Sequence, residues 1–289
     1  MATLKDIQRR IRSVEKTQQI TSAMRMVAAA KLRRAQDAIL AARPYAQRMY
    51  ATLGEIGRRN PEVEHPLVTQ REHPKVAEVV VVTSDRGLCG GFNNNVVKQA
   101  ERAIAEIAAE ASRVLVAPVG RKAGESLRRR HSEDISRSWS GYPHVEYAQA
   151  QEIAEHLSSR FLAGEIDKAV IIYNVFVSAV TQTPERDVLL PFGAESEIAE
   201  AGGAYLPFEI EPDETTLLDV LVPQALTYSI YRALLENQVG EHAARMAAME
   251  NATRNTEELI KSLTLQFNRA RQAAITRELV EIVSGAEAL

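Results

Sequence analysis

Apolar and small side chains return every three or four positions at both ends of this chain, and in short unbroken runs through its middle. Near the C-terminus the recurring positions are Leu221, Ala225, Tyr228, Leu235, Val239, Met246, Met249, Ile260, Leu263, Phe267, Ala270 and Ala274. After Pro223 no proline interrupts them, and Gly240 is the one glycine before Gly285. Alternating steps of four and three make a heptad seam, as in a helix that winds around another. At 1.5 Å per residue such a helix would run roughly 90 Å. The N-terminus carries a matching seam. Thr3 and Asp6 suggest a helix start with a near capping box. Leu4, Ile7, Ile11 and Val14 follow, then polar Gln18 and Thr21, then Ala28, Leu32, Ala35, Ile39 and Ala42. Pro44 is expected to bend or restart this helix, and Gly54, Gly57 and Pro61 to end it. The simplest partnership is an antiparallel coiled coil between the two ends. A coiled coil between two molecules satisfies the same pattern.

The middle reads differently. After a proline-rich loop, Val76–Thr83 is a short Val-rich run broken only by Glu78, as expected of a strand buried on both faces. Ser84–Asn95 reads as a polar turn, Val96–Ala111 as an amphipathic helix, Val114–Val119 as a second strand and Arg121–Arg130 as a basic helix. Ile135–Trp139 suggests a further strand, Tyr147–Leu162 a helix, Lys168–Val177 a strand and Arg186–Pro191 an edge strand. Residues 193–203 are expected to be a loop. Asp213 is a reasonable cap for the final helix, and Pro223 a kink. Alternating strands and helices imply a doubly wound, Rossmann-like α/β domain with a parallel sheet and helices on both faces. The expected organisation is a coiled-coil helix over 1–58, an α/β domain over 59–212 and a second coiled-coil helix over 213–289.

Composition narrows the picture. Aromatic residues make up 5% of the chain, low for one large globular core and expected of much coiled coil. The single cysteine, Cys89, excludes an intrachain disulfide and a thiolate zinc cluster. No apolar run approaches the ~20 residues that span a bilayer, and no signal-peptide core begins the chain. The net charge of −3 conceals an asymmetry: residues 1–60 carry +9, residues 213–289 carry −4 and the remainder −8. A basic N-terminal arm could face nucleic acid, anionic lipid or an acidic protein surface.

Candidate chemistry is sparse. The turn Arg86-Gly87-Leu88-Cys89-Gly90-Gly91 follows the first strand, where open α/β sheets bind ligands. It matches neither phosphate-binding glycine pattern and lacks the lysine that reaches a terminal phosphate. Its glycines are expected to permit a tight turn, with Asp85 and Arg86 orienting it. Cys89 reads as a packed small residue and His242 as a packed histidine. The six histidines show no metal spacing, and no catalytic constellation is visible. For nucleic acid, the basic helix lacks interleaved aromatics.

Three segments resemble the gamma subunits of bacterial F-type ATP synthases: Ile20–Leu32 (ITSAMRMVAAAKL) continuing into Arg33-Arg34-Ala35-Gln36, Thr83–Asn93 (TSDRGLCGGFN) and Ala270–Ala286 (ARQAAITRELVEIVSGA). The likeness covers the chain in the order helix, α/β domain, helix. It implies a rotor shaft whose coiled coil enters an alpha-3 beta-3 hexamer and whose α/β foot binds the epsilon subunit and the membrane c-ring. No cofactor, metal or catalytic residue of its own is implied, and no nucleic acid. Carried over by motif, Arg271 and Gln272 would contact a beta-subunit catch loop. Arg25, Lys31, Arg33 and Arg34 would supply basic contacts to acidic lever loops. Ile282, Val283 and Ala286 would form an apolar bearing tip, and Glu209, Glu211 and Asp213 would lie in the foot near epsilon and the c-ring. The family also implies a peripheral place at the cytoplasmic face of a bacterial inner membrane. The chloroplast-type dithiol insert is absent, and no transit peptide precedes the first motif. The competing expectation is a free-standing α/β protein with a coiled-coil arm that binds nucleotide or nucleic acid.

Overall fold

The computed structural model describes residues 3–59, 65–71, 74–142, 144–193, 211 and 213–287. The elements run α1 (Leu4–Arg59), β1 (Val76–Val82), α2 (Phe92–Ile107), β2 (Arg113–Val119), α3 (Arg121–Leu127), α4 (Tyr147–Leu162), β3 (Lys168–Phe176), β4 (Gln182–Leu190) and α5 (Glu214–Glu287). The chain forms two compact units, residues 30–244 and residues 1–29 with 245–289. Both draw on α1 and α5.

Both long helices begin with side-chain caps. Thr3 and Asp6 close a reciprocal box: the Thr3 N–H donates to the Asp6 carboxylate at 3.1 Å, and the Asp6 N–H donates to the Thr3 hydroxyl at 3.3 Å. Asp213 receives the Thr216 N–H and the Thr216 hydroxyl, each at 2.8 Å. These bonds satisfy donors that a helix start leaves open. They also favour the ionised form and hold both carboxyls below the ordinary range. Neither internal proline ends its helix. Pro44 stands on the solvent side of α1, where water can serve the carbonyl it leaves without a partner. At Pro223 the Thr227 hydroxyl donates to the proline carbonyl at 2.8 Å.

The larger unit is built on a four-stranded sheet in the order β2-β1-β3-β4. The first three strands are parallel, and β4 adds an antiparallel edge. Ala77, Val79 and Val81 turn to the face covered by α2 and α3. Val80 and Val82 turn to the other face, where α4, α1 from Ala46 to Ile56 and α5 from Leu218 to Leu234 pack. Helices therefore lie on both faces of a mixed, largely parallel sheet. The segment expected as a third strand, Ile135–Trp139, makes only two isolated bridges to β2. Pro118 lies between the bridged residues of β2 and has no N–H to continue a ladder.

Glu78 is the anomaly of β1. It is 0% exposed on the α4 face, yet carries a carboxyl group. Arg160 reaches it at 2.6 Å and His156 at 3.1 Å, and the Ser136 hydroxyl donates to it. A buried carboxylate is tolerable only when so matched. A second clasp joins the strand starts: the Asp167 carboxylate accepts from Arg71 and from the N–H groups of Lys75 and Val76.

In the smaller unit α1 and α5 run antiparallel. Arg25 pairs with Glu250 at 2.7 Å, and the Thr253 hydroxyl donates to Thr21 at 2.9 Å. Along α1 positions 4, 7, 11, 14, 18, 21, 25 and 28 are all covered in heptad alternation, with Ser22 and Met24 covered beside them. On α5 they include Met249, Thr253, Thr256, Ile260, Leu263, Phe267, Ala270 and Ala274. The polar seam residue Thr21 meets a polar partner, which fixes register where an apolar pair would not.

Candidate functional site

A nucleotide would be sought beyond the carboxyl ends of the parallel strands, and one part of that edge lies over β1 and β2. It is filled from within. The Asp85 carboxylate receives the Arg121 N–H at the start of α3 at 2.8 Å and the Gly141 N–H at 2.7 Å. It thus stands where a phosphate would use the helix N-terminus. The Thr83 hydroxyl accepts the Ala123 N–H at 2.8 Å. Gly120 takes φ 93°, and a Cβ there would lie 2.3 Å from the Thr83 carbonyl oxygen. These contacts lock the two loops together. The following turn is held by Asn93, whose Oδ1 accepts the Ser84 N–H at 2.9 Å. Cys89 is buried against Phe92 and Ala244, as a packed residue should be. Its neighbour Leu88 is exposed and adopts φ 64°. Among the described residues no cluster of His, Cys, Asp or Glu could hold a metal ion.

The other candidate surface is the end of α5. The pairs Arg25–Glu250 and Thr21–Thr253 set a register in which Leu4 lies level with Ala270 and Arg271. Past Ala274 the helix has outrun the described part of α1. There the apolar side chains face outward: Ile275, Leu279, Val280, Ile282 and Val283 are all exposed, Ile282 by 68%. Thr276, Leu279, Val280, Val283 and Ser284 line a shallow groove along this end. Arg271 and Gln272 stand exposed at the point where cover ends, and the Gln272 carbonyl accepts the Thr276 hydroxyl at 3.0 Å.

The expected contact residues fall at separate places. Arg271 and Gln272 adjoin the bare helix end with Ile282 and Val283; Ala286 lies in the same helix. Arg25 sits level with Glu250, three heptads from Arg271, or roughly 30 Å along the helix. Its guanidinium is already in an exposed ion pair. Lys31, Arg33 and Arg34 belong to the larger unit and are exposed without an ion pair among the described residues. Glu211 and Asp213 are exposed, the latter engaged in capping α5, while Glu209 lies outside the described residues. Leu279 and Val280 were absent from the motif-based expectation. Apolar heptad positions read as buried, and only the register shows where the partner helix stops.

The comparisons with known proteins agree over the whole chain. The model of the ATP synthase family matches residues 3–289. The ATP synthase gamma chain of Anaeromyxobacter sp. (strain Fw109-5) is 49% identical over 100% of both chains. That of Chlorobium phaeobacteroides (strain BS1) is 45% identical over 100% of this chain and 99% of its own. Among solved structures, a chain of the central stalk and c-ring of the Tetrahymena thermophila mitochondrial ATP synthase superposes with a TM-score of 0.62 at 27% identity, covering 81% of this chain and 99% of that one. A chain of the Euglena gracilis mitochondrial ATP synthase rotor, at 20% identity, shares the fold, with a TM-score of 0.63 and coverage of 94% and 98%. With both the sheet-centred unit and the helical pair accounted for by relatives of equal length, the chain belongs to the ATP synthase gamma chain family.

Proposed function

We propose that the chain is the central-stalk rotor shaft of an F-type ATP synthase. It couples proton-driven rotation of a c-ring to the conformational cycling of catalytic beta subunits, and runs in reverse under ATP hydrolysis. The observation that carries this reading is the helix end beyond Ala274. Its apolar residues Ile275, Leu279, Val280, Ile282 and Val283 are exposed alongside Thr276, Arg277 and Glu278, with Arg271 and Gln272 at its root. Large exposed apolar surface marks an interaction site. Apolar contact is non-directional, so the exposed apolar side chains can slide against an apolar sleeve and serve as a bearing. Arg271 and Gln272 supply the directional contact to a beta-subunit catch loop. Lys31, Arg33 and Arg34 supply long-range attraction to acidic levers, tolerant of geometry over about 8–10 Å.

The partners in this reading are an alpha-3 beta-3 hexamer around the coiled coil, with epsilon and the c-ring at the α/β foot, one shaft per complex. In this reading catalysis belongs to the beta subunits, and Asp85 serves to hold the loops after β1 and β2 together. Among the described residues no helix is long and apolar enough to cross a membrane. The chain then meets the cytoplasmic face of the inner membrane through its complex. Co-purification tests the reading: the tagged chain should bring down two larger ATPase subunits. A chain that stays alone and binds ATP in calorimetry would reject it. Within the complex, Arg271→Ala with Gln272→Ala should slow ATP-driven rotation while the chain keeps its unfolding midpoint. Unchanged rotation would reject the catch assignment.

A further inference from the structure

One stripe of α5 in the larger unit meets the sheet through directional contacts. Its members are Arg232, Glu236 and Gly240, each four residues from the last. The Arg232 guanidinium lies 3.5 Å from the Asp187 carboxylate of β4, which also accepts the Tyr173 hydroxyl of β3 at 2.9 Å. One turn on, the Glu236 carboxylate accepts the N–H of Phe176, the last residue of β3, at 3.1 Å. One turn further, Gly240 lets the helix backbone approach the first turn of α2 and the start of β4. A Cβ there would lie 2.9 Å from the Phe92 ring and 3.4 Å from Gln182. The Asn174 amide of β3 donates to the Phe92 carbonyl at 3.3 Å and helps seat the start of α2.

Elsewhere the face of α5 turned to the sheet packs through apolar side chains such as Leu226, Ile230 and Leu234. Polar contacts of α5 such as those from Tyr228 to the Ala42 carbonyl and from Asp219 to His65 reach α1 and a loop rather than the sheet. Apolar contact is non-directional, so a helix can turn against it with little change in buried area. Hydrogen bonds are directional. Turning α5 by about 10° would carry a surface atom, roughly 5 Å from the axis, through about 1 Å. That is enough to weaken the bond from Phe176 to Glu236 and to drive the helix into the Phe92 ring. Gly240 contributes little to helix stability, since glycine is less favourable there than alanine by about 1 kcal/mol. Its close approach is the local gain.

We infer that Arg232, Glu236 and Gly240 form the torsional key of the rotor, the positioning residues that fix the angle between the α/β sheet and α5 under load. This rests on the rotor reading above. Torque entering at the sheet passes to the helix through this stripe, and the apolar packing alone would let it slip.

The test uses the assembled complex, immobilised by its hexamer, with a bead on the α/β domain. For the unsubstituted chain, ATP-driven rotation is the precondition; its absence would count against the rotor reading rather than the key. Glu236→Ala removes the acceptor of the Phe176 N–H, and Gly240→Leu pushes the helix off Phe92. Each should roughly double the angular variance of the bead at rest, because a second compliant joint then stands in series with the first. Each should also lower proton-driven ATP synthesis by half or more relative to ATP hydrolysis. Arg186→Gln, which breaks only the exposed pair with Glu106, should change neither. Where Gly240→Leu fails to assemble, Glu236→Ala decides. Unchanged variance and an unchanged ratio of synthesis to hydrolysis in an assembled Glu236→Ala complex would overturn the inference.

Discussion

α5 is one continuous helix written in two ways. From Leu218 to Ala244 it gives the larger unit a face of Val222, Ala225, Leu226, Ile230 and Ala233, covered by the sheet, α4 and α1. From Ile275 onward, in the smaller unit, its apolar residues are bare. Both stretches are helical and both are rich in Leu, Ile and Val, so neither propensity nor hydrophobicity separates them. What separates them is whether the chain itself supplies cover. In the first stretch burial stabilises the fold. In the second the surface is left uncovered and the folded chain gains little from it; in the proposed shaft this surface is the bearing. A stability measurement reports on one stretch and an assembly measurement on the other.

That contrast can be broken at several points. The largest loss of stability is expected away from the bare end, at the ion cluster beneath the sheet. Glu78→Ala should cost about 3–5 kcal/mol in urea unfolding of the full chain, because Arg160 and His156, both largely covered, lose the carboxylate they share and Arg160 keeps only Glu165. A loss below about 1 kcal/mol would mean that the cluster is not what ties β1 to α4. Next, Leu226→Ala should cost about 2–5 kcal/mol by leaving a cavity in the core. The equivalent Leu279→Ala should stay within about 0.5 kcal/mol yet slow rotation in the complex. Equal costs at the two positions would erase the distinction between covered and bare helix.

The Asp167 clasp gives a pH-dependent test of the larger unit. Burial raises the Asp167 carboxyl, but the Arg71 hydrogen bond and the N–H groups of Val76 and Lys75 outweigh it, so the group ends below the ordinary carboxylate range. A depressed pKa stabilises the fold above the unfolded value of about 3.9 and loses that contribution as pH falls through the folded value. The stability gap between the unsubstituted chain and Asp167→Asn should therefore be level from neutral pH to about pH 4 and narrow below it. A gap that widens with acid would contradict the clasp. The smallest effect belongs to the exposed pair in the coiled coil. Arg25→Ala should cost about 0.2–1 kcal/mol, fading at high salt. A larger, salt-independent cost would make this pair more than a surface contact.

Much of this organisation is written in the residues. The Val-rich run of β1 and the period of α4 are local signals, and the structure has these elements where the pattern puts them, with α4 at Tyr147–Leu162. β4 is longer than expected, beginning at Gln182, because Thr183, Pro184 and Glu185 read as loop. An edge strand can accept a proline where no neighbour needs its N–H. The partners of Glu78 lie 78 and 82 residues away in α4, and no local pattern announces such a pairing. At the functional end, Arg271 and Gln272 stand out through family resemblance, whereas Leu279 and Val280 emerge only from the register of two helices. Periodicity records that a side chain repeats on one face. It does not record how long the opposing helix is.

The bare helix end has a consequence for biosynthesis. An uncovered cylinder carrying Ile275, Leu279, Val280, Ile282 and Val283 is adhesive in free solution. A newly made chain therefore has two fates: capture inside its proper sleeve, or self-association and proteolysis. Supply of the chain must be matched to supply of the subunits that enclose it, and the orphaned chain should be the short-lived one.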